Sequence, residues 1–280
     1  MGENTHRTAN AVSGSLSVDA VHRNGQTCLD SVFCSVPFHI SKPYWDGTVL
    51  LLQVANPTAG LFSGDQLSCR VQVKENAALL FTNQGASRIH PSTGAGVVSE
   101  QTFRVSDKGW LEIFPELLIP YRQASLIQKT VVNVADGGRA YLAEMLAPGR
   151  TAAGEIYAYE KLDWRFHLFL HDRPIAVERA EISPDTIPWM FASPPHWQHI
   201  YYGCVWIVAP ELEAMSSADF KEIEDLSSDE CLVGASRLAA TAIVVKVVSS
   251  SSIPLRKALQ STRSRMAALL PFLHSNPHKL

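Results

Sequence analysis

Between positions 67 and 73, apolar Leu67, Cys69, Val71 and Val73 alternate with polar Ser68, Arg70 and Gln72. An extended chain points successive side chains to opposite faces, so a period of two predicts a strand with one face on a core and the other toward water. Residues 77–82, 97–105, 110–114, 127–134 and 139–145 read as further strands, punctuated by polar breaks. Asp107-Lys108-Gly109 supplies a turn, and Asp136-Gly137-Gly138 predicts a hairpin between the strands that flank it. The clearest strand is 162–170. Leu162, Trp164, Phe166, Leu168 and Leu170 share one face there, opposite Asp163, Arg165, His167, Phe169 and His171. His171-Asp172-Arg173-Pro174 then turns the chain into a strand over 175–182.

The period changes in the C-terminal third. Ser216 stands three residues before Asp219, a capping-box start, and Phe220, Ile223 and Leu226 follow as an apolar stripe. Pro254 precedes Leu255, Leu259, Thr262, Met266, Leu269, Leu270 and Leu273, which recur at helical spacing. Between these two helices, the Val/Ile-rich stretch 242–248 predicts one more strand. Residues 249–252 read as a linker, and the Pro- and aromatic-rich stretch 184–199 as a long packed loop. No internal repeat or low-complexity tract is visible. Many short, evenly spaced strands imply a mainly β chain, a sandwich or a stack of sheets, with about two α-helices at the end. Residues 1–280 are expected to form one domain, with 1–20 and 274–280 as flexible ends.

Composition supports a packed core: of 280 residues, 46% are apolar and 18% charged. A net charge of −3, without a run of five basic residues, does not point to a nucleic-acid partner. The five cysteines, Cys28, Cys34, Cys69, Cys204 and Cys231, are odd in number and widely spaced. That favours reduced, mostly buried thiols over a disulfide framework, and the lack of a CxxC pair argues against a thiolate zinc site. Residues 1–21 lack the apolar core of a signal peptide, and no stretch reaches the ~20 apolar residues of a membrane span. The expected compartment is the cytoplasm, without membrane attachment.

Common catalytic signatures are missing. Gly60-Leu61-Phe62-Ser63-Gly64-Asp65 lacks the Lys and Ser/Thr of a phosphate loop, and there is no GxGxxG, HExxH or GxSxG. Carboxylates stand near predicted turns and strand ends at Asp65, Glu112, Glu116, Glu144, Glu155 and Glu178. Two of Asp65, Glu112, Glu155 and Glu178 in one cleft would suit a hydrolase. The competing reading pairs carboxylates with Arg88, Arg150 or Arg179. His167 and His171 share a strand face but stand ~13 Å apart, too far to chelate one ion. Arg256, Lys257, Arg263 and Arg265 line the other side of the last helix, as a solvated face or a dock for an acidic partner. Trp189, Trp197, Tyr201, Tyr202 and Trp206 would line a ligand groove or fill the core.

The order of local patterns carries more than any one of them. Gly60 to Asp65 is followed by the alternating strand, then Phe81-Thr82-Asn83-Gln84-Gly85-Ala86-Ser87-Arg88-Ile89, then Leu111-Glu112-Ile113-Phe114-Pro115-Glu116-Leu117-Leu118-Ile119-Pro120-Tyr121. Gly149-Arg150-Thr151-Ala152-Ala153-Gly154-Glu155, Arg173-Pro174, Glu178-Arg179 and Gly234-Ala235-Ser236-Arg237-Leu238 come later. From about Val36 to Leu270 this series resembles the UreD (UreH) urease accessory proteins. The resemblance implies a superhelical stack of β-sheets with two helices, acting as a non-catalytic scaffold. It implies binding to UreF, through it to the nickel-carrying GTPase UreG, and docking of that heterocomplex, with a dimer of heterotrimers as one arrangement, on apo-urease (UreABC). It implies no tightly bound cofactor but nickel in transit, which needs ligands that bind and release rather than a closed cage. Asp65, Glu155 and Glu178 fall in the matching segments and are the expected passage-lining groups, with ion pairs to Arg150 and Arg179 as the alternative role. Gly60 and Gly64 are expected to serve backbone conformation.

Overall fold

The structure, a computed structural model, describes residues 11–186 and 194–277. Strands β1 (Ser13–Arg23), β2 (Gln26–Cys34), β3 (His39–Ile40), β4 (Tyr44–Asp46) and β5 (Val49–Ala55) open the chain. The middle holds β6 (Gln66–Val73), β7 (Ala78–Asn83), β8 (Ser87–Ile89), β9 (Val97–Val105), β10 (Trp110–Phe114), β11 (Leu118–Pro120), β12 (Ser125–Val134) and β13 (Arg139–Leu146). The last part holds β14 (Lys161–Leu170), β15 (Arg173–Ile182), β16 (Tyr201–Val208), α1 (Ser217–Glu224), β17 (Cys231–Ala239), β18 (Ala242–Ser249) and α2 (Ser252–Met266). The expected mainly β architecture with two late helices is what the described residues form.

From β5 to β14 the chain winds as a coil between two facing sheets. The first sheet has the order β15-β14-β12-β9-β6-β1-β2, the second β17-β18-β16-β13-β10-β7-β5-β3. Successive turns of the coil stack in parallel register, β6 on β9 on β12 in the first sheet and β5 on β7 on β10 on β13 in the second. Burial explains why the strands look different in sequence. The first sheet has one face on the core and one toward water, so β6 alternates exposed and buried positions along its length. The second is covered on both faces. Leu52, Phe81 and Leu142 pack against Val71, Phe103 and Phe166 of the first sheet. On its far side, Leu80, Tyr141 and Val245 pack under Ile223 of α1 and Leu255 and Leu259 of α2. Its strands are therefore nearly continuous apolar runs, as in β10, where all five residues are buried.

Three sequence expectations change. The hairpin at Asp136-Gly137-Gly138 does not form. β12 pairs with β9 and β14, while β13 pairs with β10 and β16, so the turn carries the chain across to the facing sheet. Turn residues supply a reversal, but strand edges already taken by neighbouring coils decide the pairing. The corners stack as the strands do: Ser106 N–H donates to Val73 O, Ala135 N–H to Val105 O and Arg139 N–H to Gly109 O. A Cβ on Gly137 would sit 1.9 Å from Asp107 Oδ1, so the glycine permits this close stacking. The described parts of the two ends, 11–20 and 274–277, are also more ordered than expected, while 1–10 lie outside the described residues. Residues 13–20 lie in β1 between β6 and β2, with Leu16, Val18 and Ala20 buried. At the other end Ser275 is buried and Asn276 N–H donates to Asp46 Oδ2 at 3.0 Å, while 278–280 lie outside the described residues. Lastly, the basic side of α2 is largely tied down: Arg256 pairs with Glu116, Arg263 with Glu112 and Arg265 with Glu222, leaving Lys257 exposed.

Candidate functional site

The two sheets do not close completely on each other. A cavity of about 380 Å³ lies between them, and a second of about 260 Å³ adjoins it, since Glu144, Trp164 and Phe166 line both. A polar seam marks the junction. In the first sheet, Ser99, Gln128 and Trp164 stand in one register row across β9, β12 and β14. In the second, Glu144, Cys204 and Lys246 stand in one row across β13, β16 and β18. Polar side chains in an inter-sheet layer need partners or water, because an unpaired buried polar group costs ~1–3 kcal/mol. Trp164 Nε1 donates to Glu144 Oε1 at 3.0 Å. Thr130 Oγ1 is buried without a hydrogen-bond partner and lines the larger cavity, and the Trp206 indole lies beside Glu144 and helps to hold its carboxyl down.

Electrostatics single out Glu144. Burial pushes its carboxyl from 4.5 up to about 7; the Trp164 N–H pulls it down and the charge of Glu178 pushes it further up. Glu144 is half-buried and lines both cavities. Burial likewise pushes the Cys204 thiol well above its ordinary value, so it sits there as a neutral thiol. Glu178, on β15, completes the smaller cavity. Its Oε2 meets Lys246 Nζ at 2.7 Å and its Oε1 accepts from Tyr202 Oη at 3.4 Å. This pair stands at the outer edge of the seam, with side-chain exposures of 30% for Glu178 and 47% for Lys246.

The expected passage residues are not brought together. Asp65 is buried as a cap on the glycine turn: Oδ1 accepts from Val12 N–H at 2.9 Å and Oδ2 from Phe62 N–H at 2.8 Å. The turn needs its glycines, with φ +148° at Gly60 and +84° at Gly64. Glu155 braces another loop. Arg150 donates to both its oxygens, at 2.5 and 2.8 Å, Arg122 N–H donates at 3.1 Å, and Arg150 lies 4.1 Å above the Tyr121 ring. Those donors, Arg150 first, hold its carboxyl down to about 2. The alternative ion pair to Arg150 is therefore formed, while Arg179 pairs with Asp163 and Glu181 instead. Of the three, only Glu178 lies at a cavity, whose lining it shares with Glu144.

Glu112 is remote from that seam, fully buried under α2 against Arg263. The four carboxylates considered for hydrolysis thus serve separate surroundings and form no catalytic pair. Of the aromatics expected in a groove, Tyr202 lines the smaller cavity, but Trp206 stacks on Phe166 with centroids 4.4 Å apart, Tyr201 is buried in the layer under the helices, and Trp189 lies outside the described residues. Among the described residues, no three His, Cys, Asp or Glu side chains are grouped to hold a metal ion, and no helix is long and apolar enough to cross a membrane.

Sequence reasoning missed Gln128 and Lys246, which line the two cavities. One signal was present: the inward positions of β12 read Leu126, Gln128, Thr130, Val132 and Val134, with two polar residues where a sealed core would have none. The comparisons with known proteins agree with the order of motifs. A profile described as UreD urease accessory protein matches residues 12–278. The urease accessory protein UreD of Opitutus terrae is 32% identical over 259 residues, covering 91% of this chain and 94% of that protein. Those of Lysinibacillus sphaericus and Sporosarcina pasteurii are 24% and 25% identical, over 92% and 84% of this chain.

Proposed function

The chain belongs to the UreD family of urease accessory proteins, and from that premise we propose that it is a non-catalytic scaffold that guides nickel through its inter-sheet seam to apo-urease. In this reading it works in the cytoplasm, in a heterocomplex with UreF and, through UreF, with the UreG GTPase, and hands its cargo to UreABC. The ion is cargo, held only in passing. The observation that carries the reading is the pair of adjoining cavities with Glu144 at their junction and Glu178 beside it. Two carboxylates separated by cavity space can bind a borderline divalent ion by oxygen and water ligands and still release it. The neutral Cys204 thiol does not trap the ion as a thiolate would. Asp65 and Glu155 act on the passage indirectly, by holding the loops of the stack in shape.

The experiment measures urease activation and nickel content in cells carrying the neighbouring urease genes under defined nickel, with the wild-type chain, without it, and with Glu144→Gln or Glu178→Gln. Deletion is expected to leave urease assembled but poor in nickel, and the two variants to fall between deletion and wild type at unchanged chain abundance. Urease that fills equally well without the chain overturns the assembly role. Urease that fills equally well with both variants overturns the seam as the route.

A further inference from the structure

Where a largely buried carboxylate of this fold is otherwise ion-paired, its partner is arginine, while lysine pairs with exposed ones such as Glu181 and Asp225. Arg263 clamps Glu112, Arg150 clamps Glu155, Arg165 and Arg179 share Asp163, and Arg139 holds Glu211. Guanidinium is planar, grips both carboxylate oxygens and keeps its charge, so such pairs are built to stay shut. The cavity carboxylate Glu178 departs from this rule, because its cation is Lys246. An ammonium is a single, strongly hydrated point charge on a flexible stem. Lys246 is also half-exposed, so water is available to receive it when it lets go. It stands in register with Glu144 across β13, β16 and β18, and its Nζ lies at the mouth of the smaller cavity.

We propose that Lys246 is a stand-in cation for the cargo: its ammonium holds the Glu178 end of the seam until a divalent metal ion displaces it, and its return helps to expel the ion. The step is an exchange of cations. The ion binds Glu178 beside Glu144 as the Lys246 ammonium swings to solvent, and the reverse swing restores the ion pair. No bond to carbon changes and no proton need move. The seam then stays neutralised when empty, and the bound ion always has a competitor tethered beside it. This inference rests on the transit reading above and adds the device that keeps binding weak enough for release.

The test uses the chain in complex with its co-expressed partner and measures Ni²⁺ binding by equilibrium dialysis, followed by the rate of release to a chelator. Lys246→Met removes the competitor while keeping the stem, and is expected to tighten nickel binding about tenfold or more and slow release. Lys246→Arg substitutes the clamping cation and is expected to bind nickel no more tightly than wild type. Adding Glu178→Gln to Lys246→Met is expected to abolish the gain. Lys246→Gln reads the same quantity should the methionine variant fail to fold. Binding by the uncharged variants within twofold of wild type, tighter binding by Lys246→Arg, or a gain that survives Glu178→Gln overturns the proposal. Loss of urease nickel in Glu144→Gln with no gain in Lys246→Met leaves the transit route standing and removes only the stand-in. No effect of either removes both.

Discussion

Removing Arg263 tests how the C-terminal helix is fastened to the stack. Its Nε donates to Glu112 Oε1 at 2.5 Å, its Nη2 to Glu112 Oε2 at 2.9 Å, and Nη2 also reaches the Ser275 carbonyl at 2.6 Å. Glu112 is fully buried and the Arg263 side chain is 11% exposed, so solvent screens little of the pair. Arg263→Met leaves a buried carboxyl and a carbonyl without their donor. Breaking a buried pair on one side costs ~3–5 kcal/mol. At roughly 2–4 °C per kcal/mol for a chain of about this size, Tm should fall by about 6–20 °C. Burial already pushes the Glu112 carboxyl up, so protonation in the variant places the result toward the lower end. The assay is thermal unfolding followed by circular dichroism at fixed scan rate, with limited proteolysis reporting on residues 271–276. Glu112→Leu combined with Arg263→Met removes both charges and should recover most of the loss, because an apolar pair of similar volume carries no desolvation cost. A fall below about 2 °C for Arg263→Met, or a double variant less stable than the single one, would refute the reasoning.

Three further outcomes follow from the bracing loops. Gly149→Ala should destabilise by more than ~1 kcal/mol in urea titration, since Gly149 has φ +135° and an added Cβ would lie 2.3 Å from Glu155 O; Gly154→Ala, with φ +70° but open space, should cost less. Asp65→Asn turns an amide donor toward one of two backbone N–H groups and should cost ~1–3 kcal/mol, with urease nickel falling only in proportion to folded chain; a nickel defect at unchanged stability would make Asp65 a ligand. Arg150 holds the folded-state pKa of Glu155 at about 2 against 4.5, so its contribution is fully present above pH 4.5 and is lost as pH falls toward 2. Acid titration of stability should therefore be flatter across that window in Glu155→Gln, and an unchanged slope would contradict the pairing.

Much of the site was half-visible along the chain. Glu178 and Glu144 stood out as carboxylates near strand ends, and the Arg150–Glu155 bracing was one of two open readings. Lys246 was not visible as a partner, because it interrupts an apolar strand and nothing local ties it to a residue on β15. The brace at Asp65 was equally hidden, since one of its two donors is Val12, a residue far away in sequence.

What the sequence determined by itself was whatever depends on neighbours along the chain. Alternation marked β6 and β14, glycines and aspartates marked the corners, Ser216 and Asp219 marked the start of α1, and spacing marked the buried face of α2. Only the tertiary structure decided which strands meet. Asp136-Gly137-Gly138 makes equally good local chemistry for a hairpin or for a corner between sheets, and the edges already occupied by β9 and β10 selected the corner. The seam has the same origin. Glu144, Glu178 and Lys246 lie on three strands brought together by the closing of two sheets, and long-range packing of that kind leaves no periodic trace in the residues it joins.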